Sequence, residues 1–361
     1  MSWELLVDRS DLAHTTVVEV PTPELSDGQV LLRVDRVGVT ANNVTYAVVG
    51  ESMRYWDFFP TNQTPVGQWG RVPLWGFADV VASTVPEVAV GTRLYGYLPT
   101  SSHLVVEPDR VDQHGFRDAA AHRQHLPSPY NRLTTTSADP AYDAAREDLQ
   151  VLYRPLFMTS FMLADFLEDN AFFGGASVVI SSASSKTAYG TAFLLEGKAT
   201  RVGLTSSANL EFTTALGCYD QVLTYEQATE LPRRKSVYVD VAGNASLRRT
   251  VHEGLGDELV HSAVVGAAHH TANPDLGSGS SSLPGPRPTF FFAPDQMRKR
   301  SVDWGPSGVE DGHAEAWRRF VPVVEGWVDV VVANGPQGLQ DDWLEVLAGV
   351  TPPRVGHVVQ L

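Results

Sequence analysis

The chain has 361 residues, 43% of them hydrophobic and 19% charged, a composition ordinary for a globular protein and a length that calls for two domains. Its formal net charge is −15, from 27 Lys and Arg against 42 Asp and Glu, which argues against nucleic acid as a partner because phosphate backbones need clustered cations. The single cysteine, Cys218, excludes an intramolecular disulfide and a Cys-rich metal site, and beside Gly217 it reads as a small buried residue.

Residues 1–110 read as all-β. Short apolar runs at Val17 to Val20, Gln29 to Val37, Val80 to Val85, Arg93 to Gly96 and His103 to Val106 are separated by turn residues such as Ser26-Asp27-Gly28 and Pro86-Glu87, a pattern that suggests a small barrel. Residues 112–150 are polar and irregular, with Pro127, Pro129 and Pro140, and read as a long connection or insertion. The texture changes near residue 151. Phe157 to Asn170, Thr187 to Leu195 and Leu210 to Leu216 have helical character, and Ala176 to Ile180, Arg201 to Thr205, Ser236 to Val241 and Val260 to Val265 read as strands, with a weaker one at Val222-Leu223. Strands alternating with helices at this spacing predict a parallel, doubly wound sheet. Residues 273–288 are rich in Gly, Ser and Pro and read as a surface loop, either without function or acting as a lid. Thr289 to Phe292 then reads as a strand, and Gly312 to Val324 as a helix with Ala316, Trp317, Phe320 and Val324 on one face.

The segment richest in chemistry is Val178-Val-Ile-Ser-Ser-Ala-Ser-Ser-Lys-Thr-Ala-Tyr-Gly190. A strand, a small-residue loop and a helix place free helix N–H groups beside the loop, where they attract an anion. Ser182, Ser184, Ser185 and Thr187 add hydroxyls and Lys186 a positive charge, so the segment suits a phosphate or pyrophosphate. The other reading is a serine-rich helix cap. Ser185-Lys186-Thr187 echoes the end of a Walker loop, but the glycines that loop needs are absent. The next strand ends in Thr205-Ser206-Ser207, with no acid to accept a ribose 2′-hydroxyl, which favours NADPH over NADH.

Residues 176–266 resemble the cofactor domain of medium-chain dehydrogenase/reductases, in particular the zinc-independent quinone oxidoreductase and enoyl reductase branch. The resemblance is carried by the strand-loop-helix, by Leu216-Gly-Cys-Tyr-Asp-Gln-Val-Leu-Thr-Tyr225, by Val239-Asp-Val-Ala-Gly243 and by Val264-Val265-Gly266, in the family's order and spacing. Gln29 to Thr40, Val90-Gly-Thr-Arg-Leu94 and Phe157-Met-Thr-Ser-Phe161 resemble the opening strand, a barrel strand and the start of the helix beside the nicotinamide. The chain departs from the family in carrying Ser182, Ser185 and Ala188 where small glycines are usual and in lacking the zinc cysteines, so no metal is expected.

The resemblance implies an α/β fold with a GroES-like β-barrel domain at residues 1–130 and 310–361 and a Rossmann-type cofactor domain at 131–309. It implies an NADPH-dependent oxidoreductase, with NADH as the lesser alternative, that reduces an activated carbonyl, an enone or a quinone in the interdomain cleft. Cofactor contacts then fall to Thr159, Ser182, Ser184, Ser185, Lys186, Thr187, Thr205, Ser206, Ser207, Tyr225, Ala242, Gly243 and Gly266, and the nicotinamide-side candidates are Thr40, Asn43 and Tyr46. A Tyr hydroxyl can donate a proton to a developing enolate, although Tyr46 also reads as barrel-edge packing and Asn42 and Asn43 as turn residues. The aromatic stretches Tyr55 to Pro60 and Trp69 to Phe77 suit a flat apolar acceptor or a hydrophobic core. His122 and His125, and His269-His270, lack the partners a metal would need. A small-molecule substrate is expected. A homodimer is implied by the resemblance alone. The N-terminus lacks a basic segment followed by an apolar run, and no stretch reaches the roughly 18 apolar residues of a membrane span, so the cytoplasm is the expected compartment. The alternative is a protein that keeps this fold without redox turnover, as a nucleotide or metabolite sensor or as a natural-product tailoring enzyme.

Overall fold

The computed structural model describes residues 2–65, 67–265, 283–305 and 307–361; Gly266, His269-His270 and the 273–282 part of the expected loop lie outside the described residues. The chain divides into two compact units, Met1–Leu152 with Val328–Leu361, and Tyr153–Trp327. In chain order the first unit contributes strands β1 (Ser2–Asp8), β2 (Thr15–Val20) and β3 (Val30–Val39), helix α1 (Ala41–Val48), strands β4 (Trp69–Gly70), β5 (Leu74–Ser83), β6 (Arg93–Leu98), β7 (His103–Val106), β8 (Pro108–Asp112), β9 (Gly115–Asp118) and β10 (Arg132–Thr135), and the start of helix α2 (Glu147–Asp169). The second contributes β11 (Ser177–Ile180), α3 (Lys186–Leu194), β12 (Thr200–Thr205), α4 (Leu210–Ala215), β13 (Gln221–Thr224), β14 (Ser236–Asp240), α5 (Ala245–Leu255), β15 (Leu259–Val264), β16 (Thr289–Phe290), α6 (Ala293–Asp303) and α7 (Gly308–Val324). The chain then returns to the first unit with β17 (Asp329–Asn334), α8 (Gly335–Ala348) and β18 (Val355–Gln360).

In the first unit β3 is the organising strand. It pairs antiparallel with β5 along its length, while its other edge is shared by β7 over Val30–Arg33 and by β18 over Arg36–Val39. Register shifts at Leu31/Leu32 and Val34/Arg36 are the bulges that bend a strand so that it can serve two partners on one edge. Val30, Leu32, Val34, Val37 and Val39 are buried in the core. At Gly38 a Cβ would stand 2.7 Å from the Val151 carbonyl oxygen, so glycine permits α2 to lie against the strand.

Two sequence-based expectations are corrected here. The first 110 residues are not all-β, because Asn42 and Asn43 lie in α1 rather than in a turn. Residues 112–150 are not an insertion: β9 and β10 extend the main sheet through β10's pairing with β6, and Phe116, Ala120, Leu126 and Leu133 are buried. The segment reads as polar because its polar groups partner one another inside the fold. Arg123 and Asp118, 2% and 1% exposed, form an ion pair at 2.9 Å, and Asn131 Nδ2 donates to the Arg123 carbonyl at 3.1 Å.

In the second unit the six strands are all parallel and lie in the order β13-β12-β11-β14-β15-β16. Counted from β11 this is the 3-2-1-4-5-6 order of the dinucleotide-binding doubly wound sheet. Ser185 starts α3 by accepting the Ala188 N–H, and Asn244 starts α5 by accepting the Leu247 N–H, as N-cap residues do. Gly190 lets α3 approach α2, since a Cβ there would lie 2.8 Å from Ser160 Oγ. The division between units falls later than the 130/131 and 309/310 boundaries read from the sequence. Residues 132–135 stay with the first sheet through the pairing of β10. Helix α7 belongs with the second unit because Phe320 stacks on Phe157 of α2 at 4.4 Å.

Candidate active site

In a doubly wound sheet the order of the strands reverses between the first and the fourth, and ligands bind outside the carboxyl ends of the strands at that point. Here the reversal lies between β11 and β14; Ser181 follows the end of β11 and Asp240 ends β14. Asp240 is fully buried. Its carboxylate accepts from Arg248 Nε at 2.7 Å, from the Gly243 N–H at 2.9 Å and from Ser181 Oγ at 3.1 Å. Ser181 Oγ in turn accepts from the N–H groups of Val241 and Ala242, both at 3.0 Å. These bonds clamp the turn Val241–Asn244, in which Gly243 takes the left-handed φ of 65°.

The loop from Ser182 to Ser185 lies between this clamp and α3. Ser182 holds a left-handed φ of 52°, the conformation that a glycine would adopt without strain. The Ser184 hydroxyl accepts from Asn209 Nδ2 at 3.1 Å, and Tyr219 donates to the Ala183 carbonyl at 2.9 Å. Lys186 opens α3. It is partly buried, its Nζ lies 5.6 Å from the centre of the Tyr153 ring, and burial lowers its ammonium to about 8. Among the described residues no carboxylate pairs with it. A cation with no counter-charge at the first turn of a helix, where the Lys186 and Thr187 N–H groups have no intrahelical acceptor, is a place for an anion.

The other predicted cofactor residues divide. Ser206 and Ser207 are accessible at the end of β12, whereas Thr205 is fully buried and its hydroxyl meets Thr213 at 3.4 Å. Burial raises the Tyr225 phenol, an effect countered by hydrogen bonds to the backbone and side chain of Ser182, so Tyr225 and the loop are brought together. Ala242 and Gly243 belong to the clamped turn. Thr159 is not at the start of a helix: it lies in the interior of α2, donating to the Pro155 carbonyl at 3.3 Å, because α2 begins at Glu147 and continues past Pro155. Ser181, Asp240 and Arg248 were missed by sequence reasoning. Their signal was an acid ending a β-strand just before Ala-Gly, with an arginine two helical turns on.

In the first unit the nicotinamide-side candidates are unequal. Asn43, 2% exposed, accepts from the Thr40 N–H at 2.7 Å and the Thr40 hydroxyl at 3.0 Å and donates to the Pro73 carbonyl at 2.9 Å. These are the bonds that start α1, and they leave Thr40 and Asn43 occupied. Tyr46 stands in a cluster with Tyr55, Tyr97, Tyr130, Trp75 and Phe58, its ring centre 4.6 Å from that of Tyr55 and 5.4 Å from that of Tyr97. The aromatic stretch at 55–60 divides within itself: Trp56, Phe58 and Phe59 are core, while Tyr55 is only partly buried. Tyr97 and Tyr130 were missed, since each lies in a segment of its own. His122 Nε2 lies 3.3 Å from the Phe58 carbonyl oxygen, and no group of three or more His, Cys, Asp or Glu among the described residues could hold a metal. No helix among them is long and apolar enough to cross a membrane. Cys218 is buried, and burial raises its thiol to about 12.

Residues 37–352 match a family described as "Protein of unknown function (DUF2855)". No curated protein matches the chain. Solved structures match it in fold. CurA from Vibrio vulnificus in complex with NADPH is 13% identical with a TM-score of 0.64, the match covering 99% of this chain and 98% of that one. The CurF ER cyclopropanase from the curacin A biosynthetic pathway is 13% identical with a TM-score of 0.60, and 99% of each chain is covered. The yhdH oxidoreductase from Salmonella enterica in complex with NADP is 14% identical with a TM-score of 0.54, again with 99% of each chain covered. The chain therefore shares the fold of these structures, an α/β fold with GroES-like and Rossmann-type parts.

Proposed function

We propose that this chain, which belongs to the DUF2855 family of proteins of unknown function, is an NADPH-dependent oxidoreductase that reduces a small activated carbonyl, an enone or a quinone. The observation that carries this reading is the switch point of the parallel sheet, where the start of α3 offers Lys186 with no counter-charge. CurA and the yhdH oxidoreductase, which share the fold, were solved with NADPH and NADP.

The residues present fit a phosphorylated dinucleotide. Lys186 and the first-turn N–H groups of α3 would hold the pyrophosphate. Asp240 does not oppose it, because Arg248 neutralises that carboxylate. Ser206, Ser207 and Tyr225 would receive the ribose 2′-phosphate at the end of a strand that carries no acid. The clamped turn at Ala242-Gly243 would offer backbone to the rest of the cofactor. When bound, the dinucleotide supplies a hydride; the protein must orient the acceptor and provide a proton. The tyrosine and tryptophan rings of the first unit suit a flat apolar acceptor, and the tyrosine hydroxyls can supply a proton. Tyr46 heads that group. Thr40 and Asn43 set its position by starting α1.

Consumption of NADPH by the purified chain, followed with a para-quinone and with a conjugated ketone as acceptors, tests the reading. Acceptor-dependent oxidation, faster with NADPH than with NADH, is the expected result. No oxidation with either acceptor class would overturn it.

A further inference from the structure

The Lys186 ammonium rests against an aromatic ring. Its Nζ lies 5.6 Å from the centre of the Tyr153 ring, inside the roughly 6 Å over which the electron-rich face of a ring attracts a cation. A lysine stem rotates freely, so an ammonium with no carboxylate partner needs another contact to keep it in place. The ring that provides one is itself fixed. Tyr153 of α2 is 1% exposed, and its hydroxyl lies 2.7 Å from that of Tyr189, a fully buried residue on α3. Phe320 of α7 meets the Tyr153 ring edge-on at 5.9 Å, and Trp327 meets the Tyr189 ring at 5.4 Å. A second tie joins the same two helices: Ser160 Oγ of α2 donates to the Thr187 carbonyl at 2.9 Å. All of these residues belong to the second unit.

From this geometry we infer that Tyr153 is a positioning residue of the anion site: its ring face takes the place of a counter-ion, holding the Lys186 ammonium at the start of α3 without neutralising it, while the Tyr189 hydroxyl sets the ring. The inference rests on the reductase reading, because the anion that Lys186 awaits is the pyrophosphate of the dinucleotide. The difference from an ion pair is chemical. A carboxylate here would also hold the ammonium, but an arriving phosphate would displace it and leave a buried charge unpaired. A ring attracts the cation through its quadrupole, has no net charge to repel phosphate, and stays in place when the anion arrives. A side chain already held also loses less freedom on binding. The two parts of Tyr153 therefore act on different partners, the ring on Lys186 and the hydroxyl on Tyr189. The other titratable and charged groups about this end of α3 are Tyr219 and Tyr225 against the loop and the Asp240–Arg248 pair beyond Ser181.

Two variants separate these parts. The chain has four lysines, Lys186, Lys198, Lys235 and Lys299, few enough for each ammonium to be followed by NMR in protein labelled at lysine Cε, with Lys186→Arg assigning the signal. Tyr153→Met keeps an apolar side chain and removes the ring. It is expected to lower the Lys186 titration midpoint by about half a pH unit or more, the worth of a cation–π contact. Near the wild-type midpoint of about 8 it should weaken NADPH binding about two- to fivefold, as the charged fraction of Lys186 falls. Tyr153→Phe keeps the ring and removes the hydroxyl. It is expected to hold the Lys186 midpoint near its wild-type place and to weaken NADPH less, yet to lower the temperature of thermal unfolding, because the Tyr189 hydroxyl is left unpaired in the core. A purely structural role for Tyr153 would not move the Lys186 midpoint. An unmoved or raised midpoint in Tyr153→Met would overturn the inference. So would a fall of about half a pH unit in Tyr153→Phe, a result that decides the matter even where the methionine variant does not fold. Failure of the reductase reading is visible separately, as absence of NADPH binding to the wild type, and the titration, which needs no nucleotide, still reads the contact between Tyr153 and Lys186.

Discussion

The two regions that carry the proposed chemistry are assembled in opposite ways. The anion site of the second unit comes from one continuous stretch, residues 181–187, closed by a single turn after β14. The tyrosine cluster of the first unit draws Asn42 and Tyr46 from α1, Tyr55 from a short 3-10 turn, Trp75 from β5, Tyr97 from β6 and Tyr130 from the segment before β10. A continuous site takes its geometry from local backbone, and its side chains can change without disturbing a core. A dispersed site exists only once five segments have packed, so its chemistry and its stability are linked.

The clamp beneath the continuous site is the sharpest place to break that contrast. Asp240→Ala leaves Arg248 without its buried partner and is expected to cost about 3–5 kcal/mol of unfolding free energy in chemical denaturation. A loss of only a few tenths would mean that the turn after β14 is held by its backbone alone. Lys186 is the opposite case. Lys186→Ala is expected to weaken NADPH binding by about 10- to 100-fold, the value of a charge-assisted hydrogen bond, without lowering the stability of the free protein. Burial holds this ammonium at about 8, below its ordinary value of 10.5, so the free protein gains stability as pH rises between those values, where the unfolded chain binds more protons. Bound phosphate favours the charged form. Affinity for NADPH should therefore be full below pH 8 and fall above it, and Lys186→Arg, which stays charged, should remove the fall. A Kd measured across that range in both proteins checks the sign. The smallest effect is expected in the dispersed site: Trp75→Phe removes one hydrogen bond to Tyr46 and should cost about 1 kcal/mol, seen by thermal denaturation together with a lower kcat. Loss of stability without loss of kcat would separate the two properties that the cluster joins.

The same contrast explains what was legible beforehand. From residue 176 to 265 the strands and helices follow from apolar runs of β type alternating with helical spacing, and the loop at 182–187 announces itself because its hydroxyls and lysine are adjacent. Helix α1 was not legible, since Thr40-Ala-Asn-Asn-Val-Thr-Tyr46 is short and carries three β-branched residues and two asparagines, and its start depends on an Asn43 side chain folded back onto Thr40. Residues 112–150 were misread because Asp118, Arg123 and Asn131 neutralise each other inside the fold, which a reading of polarity takes for exposure. Asp240 and Arg248 escaped for a related reason: an acid and a base eight residues apart meet only once the turn after β14 has formed. Tyr97 and Tyr130 belong to the cluster through the pairing of β6 with β5 and β10, a long-range fact with no local sign.

The most direct test of the central claim is binding of NADPH to the purified chain, followed by nicotinamide fluorescence and by the shift in thermal unfolding. A site of the proposed kind stabilises the fold by about 2.7 kcal/mol at about a hundredfold excess over Kd, and Lys186→Ala should remove most of that gain. No fluorescence change and no stabilisation with either NADPH or NADH would contradict the assignment of the switch point to a dinucleotide, and the reductase reading with it.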